Sequence, residues 1–260
     1  MKFVRGYLAC LFGFAIAACM SAQTPLRIAA AADLEPVLPP ILQQFQQATG
    51  IHAEATFQAS AVLTTQIQNG APFDLFLSAD LSYPKRLIDA GLADAAGSPD
   101  SSTPIVYARG TLVLWARKDS HLPPPSLDLL RSSDLKRLAV ANPDRAPYGR
   151  AAVAALTSLK LYDTLKPRLV TAENIAQTAQ FADTGNADAG LISLTSALTP
   201  RLTSDGTYFV VPRDLYPPIE QGAVIISKTS QRPQVHKFLD YLLSAPIQAQ
   251  LAKSGLTPVN

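Results

Sequence analysis

From residue 24 onward the chain repeats one pattern: a short apolar run, a small or turn-forming residue, then apolar positions at helical spacing. Residues 26–30 read as a strand. Residues 34–48 read as an amphipathic helix, because Leu34, Val37, Leu38, Ile41, Leu42 and Phe45 recur with the 3.6-residue period and Gly50 stops the run. The theme continues with a strand over 53–57, a helix over 61–68 ended by Gly70, a strand over 74–77 and a helix over 81–90 ended by Gly91. It returns as strand 138–141, helix 150–159, strand 169–171, helix 175–181 and strand 188–192. Such alternation predicts the α/β class, with parallel sheets covered on both faces by helices.

Two longer extended runs, 111–117 and 222–227, flank the second block. They predict that the chain crosses twice between two lobes, that the hinge lies there, and that helices over 235–243 and 247–252 return to the first lobe. Pro123, Pro124 and Pro125 form a stiff connector after the first crossing, and Pro212, Pro217 and Pro218 precede the second. The expected division is 24–107 plus 226–260 for lobe 1 and 108–225 for lobe 2. The halves share a theme rather than a sequence repeat.

Residues 1–23 have a different character. Lys2 and Arg5 form a basic start, and 8–18 is an apolar run of signal-peptide length, too short for a ~20-residue membrane span. An exported, periplasmic protein is expected. Ile16-Ala17-Ala18-Cys19 resembles a lipobox, which leaves two outcomes: lipid anchoring through Cys19, or cleavage near Ala22 with Cys19 discarded.

Charge sharpens this picture. Of 260 residues 22 are basic and 20 acidic, with no basic block or acidic tail, so nucleic acid is not a fitting partner. Lys2 and Arg5 are two of the 22, so the rest of the chain carries 20 basic against 20 acidic side chains. Both cysteines, Cys10 and Cys19, also fall in the leader, which leaves the folded part no disulfide and no thiolate zinc site.

The candidate chemistry lies just past the strands. In doubly wound sheets ligands bind beyond the carboxyl ends of strands, where helix N-termini present free N–H groups. Five junctions qualify: Ala29 to Leu34, Phe57 to Ala61, Pro147-Tyr148-Gly149, Glu173-Asn174-Ile175 and Ser193-Leu194-Thr195. Ser60 is placed as an N-cap whose hydroxyl bonds its own helix or a ligand oxygen. Asp74 and Asp80 read as structural, Asp80 capping the helix near Leu81 and Asp74 tying strand to loop. His52, His121 and His236 stand at no metal-ligand spacing and beside no G-x-S-x-G elbow. A secreted hydrolase acting through Ser60, the remote alternative, would need a base that the sequence does not supply.

The run Gly70-Ala71-Pro72-Phe73-Asp74-Leu75-Phe76-Leu77-Ser78-Ala79-Asp80 resembles the G-x-P-x-D-x-F-x-S-A-D signature of the ModA-type periplasmic molybdate-binding proteins. The resemblance extends through Ser60 before Leu63, Leu138 to Pro143 with Pro147 and Gly149, Ala172 to Ile175, Ala189 to Ile192 and Phe238 to Leu242. It implies a type II periplasmic binding protein: two doubly wound α/β lobes joined by a two-strand hinge. A monomer of this kind closes on molybdate or tungstate and delivers it to an ABC permease. It implies no cofactor and no catalysis, and molybdenum only within the bound oxyanion.

Carried over by position, the ligand-binding residues are Ala32, Asp33, Ser60, Tyr148, the backbone of Ile175, and Ser193. Two depart from the pattern, since the family often has Ser or Asn where Asp33 stands and Tyr where Ser193 stands. A carboxylate facing a dianion is repulsive. Asp33 is therefore expected to offer its main-chain N–H while its side chain caps the helix beginning at Leu34, and Tyr148 to supply the phenol that Ser193 lacks. Helix ends stabilise negative charge by ~0.3 to 1 kcal/mol each, up to ~2 when partly buried, so several converging ends can replace a counterion. The alternative is the same fold holding sulfate or a small carboxylate. A basic side chain aimed into the cleft, from Arg145 or Arg150 beside Tyr148, would indicate a carboxylate.

Overall fold

The computed structural model describes residues 24–95 and 102–259. The signal segment 1–23, with the expected lipid site at Cys19, lies outside the described residues. In chain order the elements are β1 (Leu26–Ala31), α1 (Leu38–Thr49), β2 (Ala53–Gln58), α2 (Ser60–Gln68), β3 (Leu75–Ser78), α3 (Ser82–Asp89), β4 (Ala93–Ala95) and β5 (Ile105–Gly110). The second block runs β6 (Leu112–Arg117), β7 (Leu138–Ala141), α4 (Pro147–Ser158), α5 (Tyr162–Leu165), β8 (Leu169–Ala172), α6 (Ile175–Asp183), β9 (Ala189–Ser193), α7 (Leu194–Ala197), α8 (Pro200–Asp205) and β10 (Gly206–Val210). β11 (Ile219–Ile226), α9 (Arg232–Leu243) and α10 (Ala245–Lys253) complete the fold.

The strands form two sheets. In the first the order is β2-β1-β3-β11-β4, with β5 also paired to β11; in the second it is β10-β6-β9-β7-β8. The expected parallel pairing holds for β1 with β2 and β3, and for β7 with β8 and β9. It fails elsewhere: β11 is antiparallel to β3, β4 and β5, and β6 is antiparallel to β9 and β10. Both sheets are therefore mixed. Strands that arrive from the other lobe come without a crossover helix, and only parallel pairing requires one.

The chain leaves the first sheet at Gly110 and enters the second at Leu112, so Thr111 alone separates them; the return runs through 211–218. The lobe limits expected at 107/108 and 225/226 fall inside β5 and β11, both strands of the first sheet. The helix expected from residue 34 starts instead at Leu38, after a 3-10 turn over Ala32–Leu34. Pro36, Pro39 and Pro40 account for this, because proline lacks the N–H that a helix needs beyond its first turn.

Each lobe has its own core. In the first, Phe45 of α1 meets Phe238 of α9 edge to face at 5.1 Å, over buried residues of β1, β3 and β11. The second core gathers Leu112, Leu138, Val140 and Leu191 beneath α4. Ala31, Ala32, Ala59 and Ala79, which end or directly follow strands of the first lobe, pack into that second cluster beside Ala146, Tyr148 and Ile175. The lobes thus meet along small side chains, which lets backbone approach backbone across the cleft.

Candidate functional site

Three helices start at this contact. α2 begins at Ser60 after Ala59, and α4 begins at Pro147 after Ala146; neither has a side chain capping its first turn. α6 begins at Ile175, and its cap Asn174 accepts from Gln177 N at 2.9 Å, which leaves the earlier N–H groups of that turn to other acceptors. Gly149 permits the close approach of α4, since a Cβ there would sit 2.3 Å from the Ala141 carbonyl oxygen at the end of β7.

Between these N-termini lies a narrow cavity of about 10 Å³ lined by Ala31, Ala32, Asp33, Gln58, Ala59, Ser60, Ala79, Ala146, Pro147, Tyr148, Asn174 and Ile175. Among the described residues no lysine, arginine or histidine stands in this wall. The arrangement offers oriented dipoles and hydroxyls to a small anion without a counter-charge. A larger groove lies at the opposite end of β1 and β3, around Arg27, Phe73 and Asp74. Asp74 is occupied there, accepting from Arg27 N at 2.8 Å, from Thr229 Oγ1 at 2.5 Å and from Gln231 Nε2 at 3.2 Å. It ties strand to loop, as its place in the sequence suggests.

Five of the six expected contact residues, Ala32, Asp33, Ser60, Tyr148 and Ile175, line the cavity together; Ser193 does not. Ser193 Oγ caps α7, accepting from Ser196 N at 3.2 Å, and lies 2.9 Å from both Ser196 Oγ and Thr195 Oγ1. Ser60 is the first residue of α2 rather than its N-cap. Its Oγ accepts from Ala79 N at 3.2 Å, and among the described residues its hydroxyl proton has no acceptor. It is a donor held in place by the neighbouring loop. Asp80 behaves as expected, accepting from Tyr83 N at 3.2 Å and Ser82 Oγ at 2.6 Å at the start of α3.

Asp33 departs most from expectation. Its side chain caps no helix; the 3-10 turn it occupies has no side-chain cap. Instead Oδ2 accepts from Tyr148 Oη at 3.2 Å across the cleft and from Gln221 Nε2, while Thr195 Oγ1 donates to the Asp33 carbonyl at 2.7 Å. Burial pushes the Asp33 carboxyl up from 3.8 to about 6, against the lowering effect of the Gln221 and Tyr148 bonds. The nearby phenols of Tyr107 and Tyr148 are pushed above their usual range by burial and then by the Asp33 charge.

Gln221 and Tyr107 were outside the sequence expectations. β11 and β5 slip register at Gln221 and Gly222, which pair with Ala108 and Val106, so Tyr107 bulges out of the ladder. Gln221 stands beside Glu220 at the polar start of β11, and only the fold shows that its amide is buried. Arg145 and Arg150 do not line the cavity: Arg145 pairs with Glu173, and Arg150 with Asp80. Among the described residues no group of three His, Cys, Asp or Glu could hold a metal ion.

Residues 26–257 match the family model described as bacterial extracellular solute-binding protein. The chain is 36% identical over 242 residues to a molybdate-binding protein ModA of Azotobacter vinelandii, covering 93% of each. It is 36% identical over 211 residues to one of Rhodobacter capsulatus, covering 81% of this chain and 79% of that one. Among solved structures, the Azotobacter vinelandii periplasmic molybdate-binding protein superposes with a TM-score of 0.82 at 29% identity, covering 90% of this chain and 100% of that chain.

Proposed function

The chain belongs to the bacterial extracellular solute-binding proteins, in their ModA-type molybdate-binding branch, and from that premise we propose that it holds its oxyanion in the cavity between Ser60, Tyr148 and Ile175. It is a transport component with the type II periplasmic binding fold, not an enzyme. It captures molybdate or a related oxyanion in the cleft and delivers it to an ABC permease, and it requires no cofactor. The contact set is Ala32, Asp33, Ser60, Tyr148 and the Ile175 backbone, with Ser193 and Thr195 supporting the Asp33 turn from behind.

The observation that carries this reading is the convergence of three helix N-termini, two without any capping side chain, on one small cavity with no basic residue among those that line it. A tetrahedral dianion offers oxygens in four directions, which suits donors arriving from separate helices. A carboxylate ligand would favour a guanidinium, and both nearby arginines are engaged outside the cavity. The hinge in this reading is Thr111 together with 211–218. The protein acts as a monomer in the periplasm, and the Ile16-Ala17-Ala18-Cys19 run supports a lipid anchor at Cys19. Mass spectrometry of the exported protein distinguishes a lipidated Cys19 from cleavage near Ala22.

Titration calorimetry of the purified protein with molybdate, tungstate, sulfate and phosphate tests the ligand. Strong heats with the first two and little with the others are expected. Preference for sulfate, or for a small carboxylate, would replace this reading with its alternative.

A further inference from the structure

Among the described residues Asp33 is the one acid in the cavity wall, and its surroundings suit a neutral acid better than a carboxylate. It is fully buried; Oδ2 accepts from both Tyr148 and Gln221, whereas among the described residues Oδ1 has no partner. The titratable groups facing it are the phenols of Tyr148 on α4 and Tyr107 on β5. Gln221 on β11, Thr195 on α7 and Ile175 on α6 are uncharged, and Glu35, beyond the same turn, is exposed to solvent. Among the described residues no lysine, arginine or histidine bonds it.

An ionised Asp33 would therefore be a buried charge without a counterion, and a bound dianion would add a second negative charge to the same low-dielectric space. Burial alone raises its proton affinity well above that of an ordinary aspartate, and a neighbouring anion raises it further. Protonation reverses the relation. Oδ1, which receives no hydrogen from the described residues, then carries one of its own, and Asp33 lines the cavity in which an oxyanion oxygen would accept it.

We propose that Asp33 binds the oxyanion as a neutral carboxylic acid that donates a hydrogen bond to one ligand oxygen. Capture of a dianion near neutral pH then takes one proton from solvent, and Asp33 sets the pH window of capture. The balance is simple: carboxylate, proton and dianion enter, and a carboxyl group hydrogen-bonded to the dianion results. The device separates oxyanions by the protons they take up. Molybdate, tungstate and sulfate carry no proton at neutral pH and can accept this bond, whereas hydrogen phosphate brings its own proton and would bind Asp33 in its ionised form without net uptake. The proposal rests on the oxyanion reading of the cavity.

Calorimetry with sodium molybdate at pH 7.5, repeated in buffers of different ionisation enthalpy, reads the protons taken up per ligand bound. About one is expected for the wild type and about none for Asp33→Asn, whose amide donates without titrating. Between pH 6 and 8 the wild-type Kd should weaken by up to about tenfold per pH unit while the variant stays flat, so that at pH 8 the variant binds more tightly. Binding without proton uptake by the wild type overturns the proposal, whatever the variant does. So does uptake that persists in a folded Asp33→Asn protein. No heat from the wild type with molybdate, tungstate or sulfate defeats the oxyanion reading itself, and the proposal falls with it.

Discussion

Arg150 of α4 forms an ion pair with Asp80, at the start of α3, and so joins the two lobes beside the cavity. The same guanidinium donates to Tyr83 Oη at 3.2 Å and lies 5.3 Å from the centre of the Tyr83 ring; Tyr83 Oη in turn donates to the Asp144 carbonyl at 3.2 Å. Ala61 N also donates across the cleft, to the Arg145 carbonyl at 3.1 Å. Every one of these contacts joins residues of different lobes, so opening the cleft must break them.

Arg150→Ala should therefore weaken ligand affinity without touching the ligand. A half-exposed ion pair contributes up to about 1 kcal/mol and a cation–π contact about 0.5 to 1 kcal/mol, which together correspond to a loss of roughly threefold to thirtyfold. Stopped-flow measurement should place the loss in a faster release rate. A change confined to the association rate would remove Arg150 from the closing contact.

Ser60→Ala removes the hydroxyl proton that Ala79 N leaves free by bonding the oxygen instead. A hydrogen bond to a charged group contributes about 1.5 to 3 kcal/mol, so Kd should rise roughly tenfold to a hundredfold with little change in thermal stability. Unchanged affinity by calorimetry would move the ligand elsewhere.

Gly110 tests the seat of Tyr148. A Cβ on residue 110 would lie 2.2 Å from Tyr148 Oη and 3.1 Å from Ile219 Cγ2. Gly110→Ala should displace the phenol from Asp33 and weaken binding, and adding Tyr148→Phe should recover part of the lost stability by removing the closest clash. Thermal unfolding of the single and double variants checks this. Additive losses would show that the two positions do not meet.

The buried Asp33 carboxyl gives the free protein a pH-dependent stability of known sign. Because its folded value is raised from 3.8 to about 6, its contribution is fully present below about pH 4 and is lost as pH rises through 6. Two units correspond to up to roughly 3 kcal/mol. The stability of Asp33→Asn relative to wild type, measured by denaturant unfolding, should therefore rise between pH 4 and pH 8. A difference that stays constant would mean that Asp33 is solvated in the free protein.

Much of this molecule was legible because its chemistry sits at the ends of its strands. Ser60, Tyr148 and Ile175 each stand just past a strand, and strand-to-helix spacing alone places them at one end of the two sheets. The partners of Asp33 were not legible: Gln221 is 188 residues away and reaches it from β11, at the register shift against β5. Ser193 shows a second limit. A serine between strand and helix suits a cap and a ligand contact equally in sequence, and only the nearby Ser196 N–H assigns it to the cap. The sheets became mixed for a similar reason, since the antiparallel partners of β11 and β6 are fixed by where the chain crosses, not by their own alternation.

The most direct measurement is a crystal structure of the molybdate complex, with the molybdenum located by its anomalous scattering. The expected position is the cavity between α2, α4 and α6, with ligand oxygens within hydrogen-bond distance of Ser60 Oγ and of main-chain N–H groups at Tyr148 and Ile175, and with no lysine or arginine in contact. Molybdenum in the groove beside Asp74, or against Arg145 or Arg150, would contradict the account.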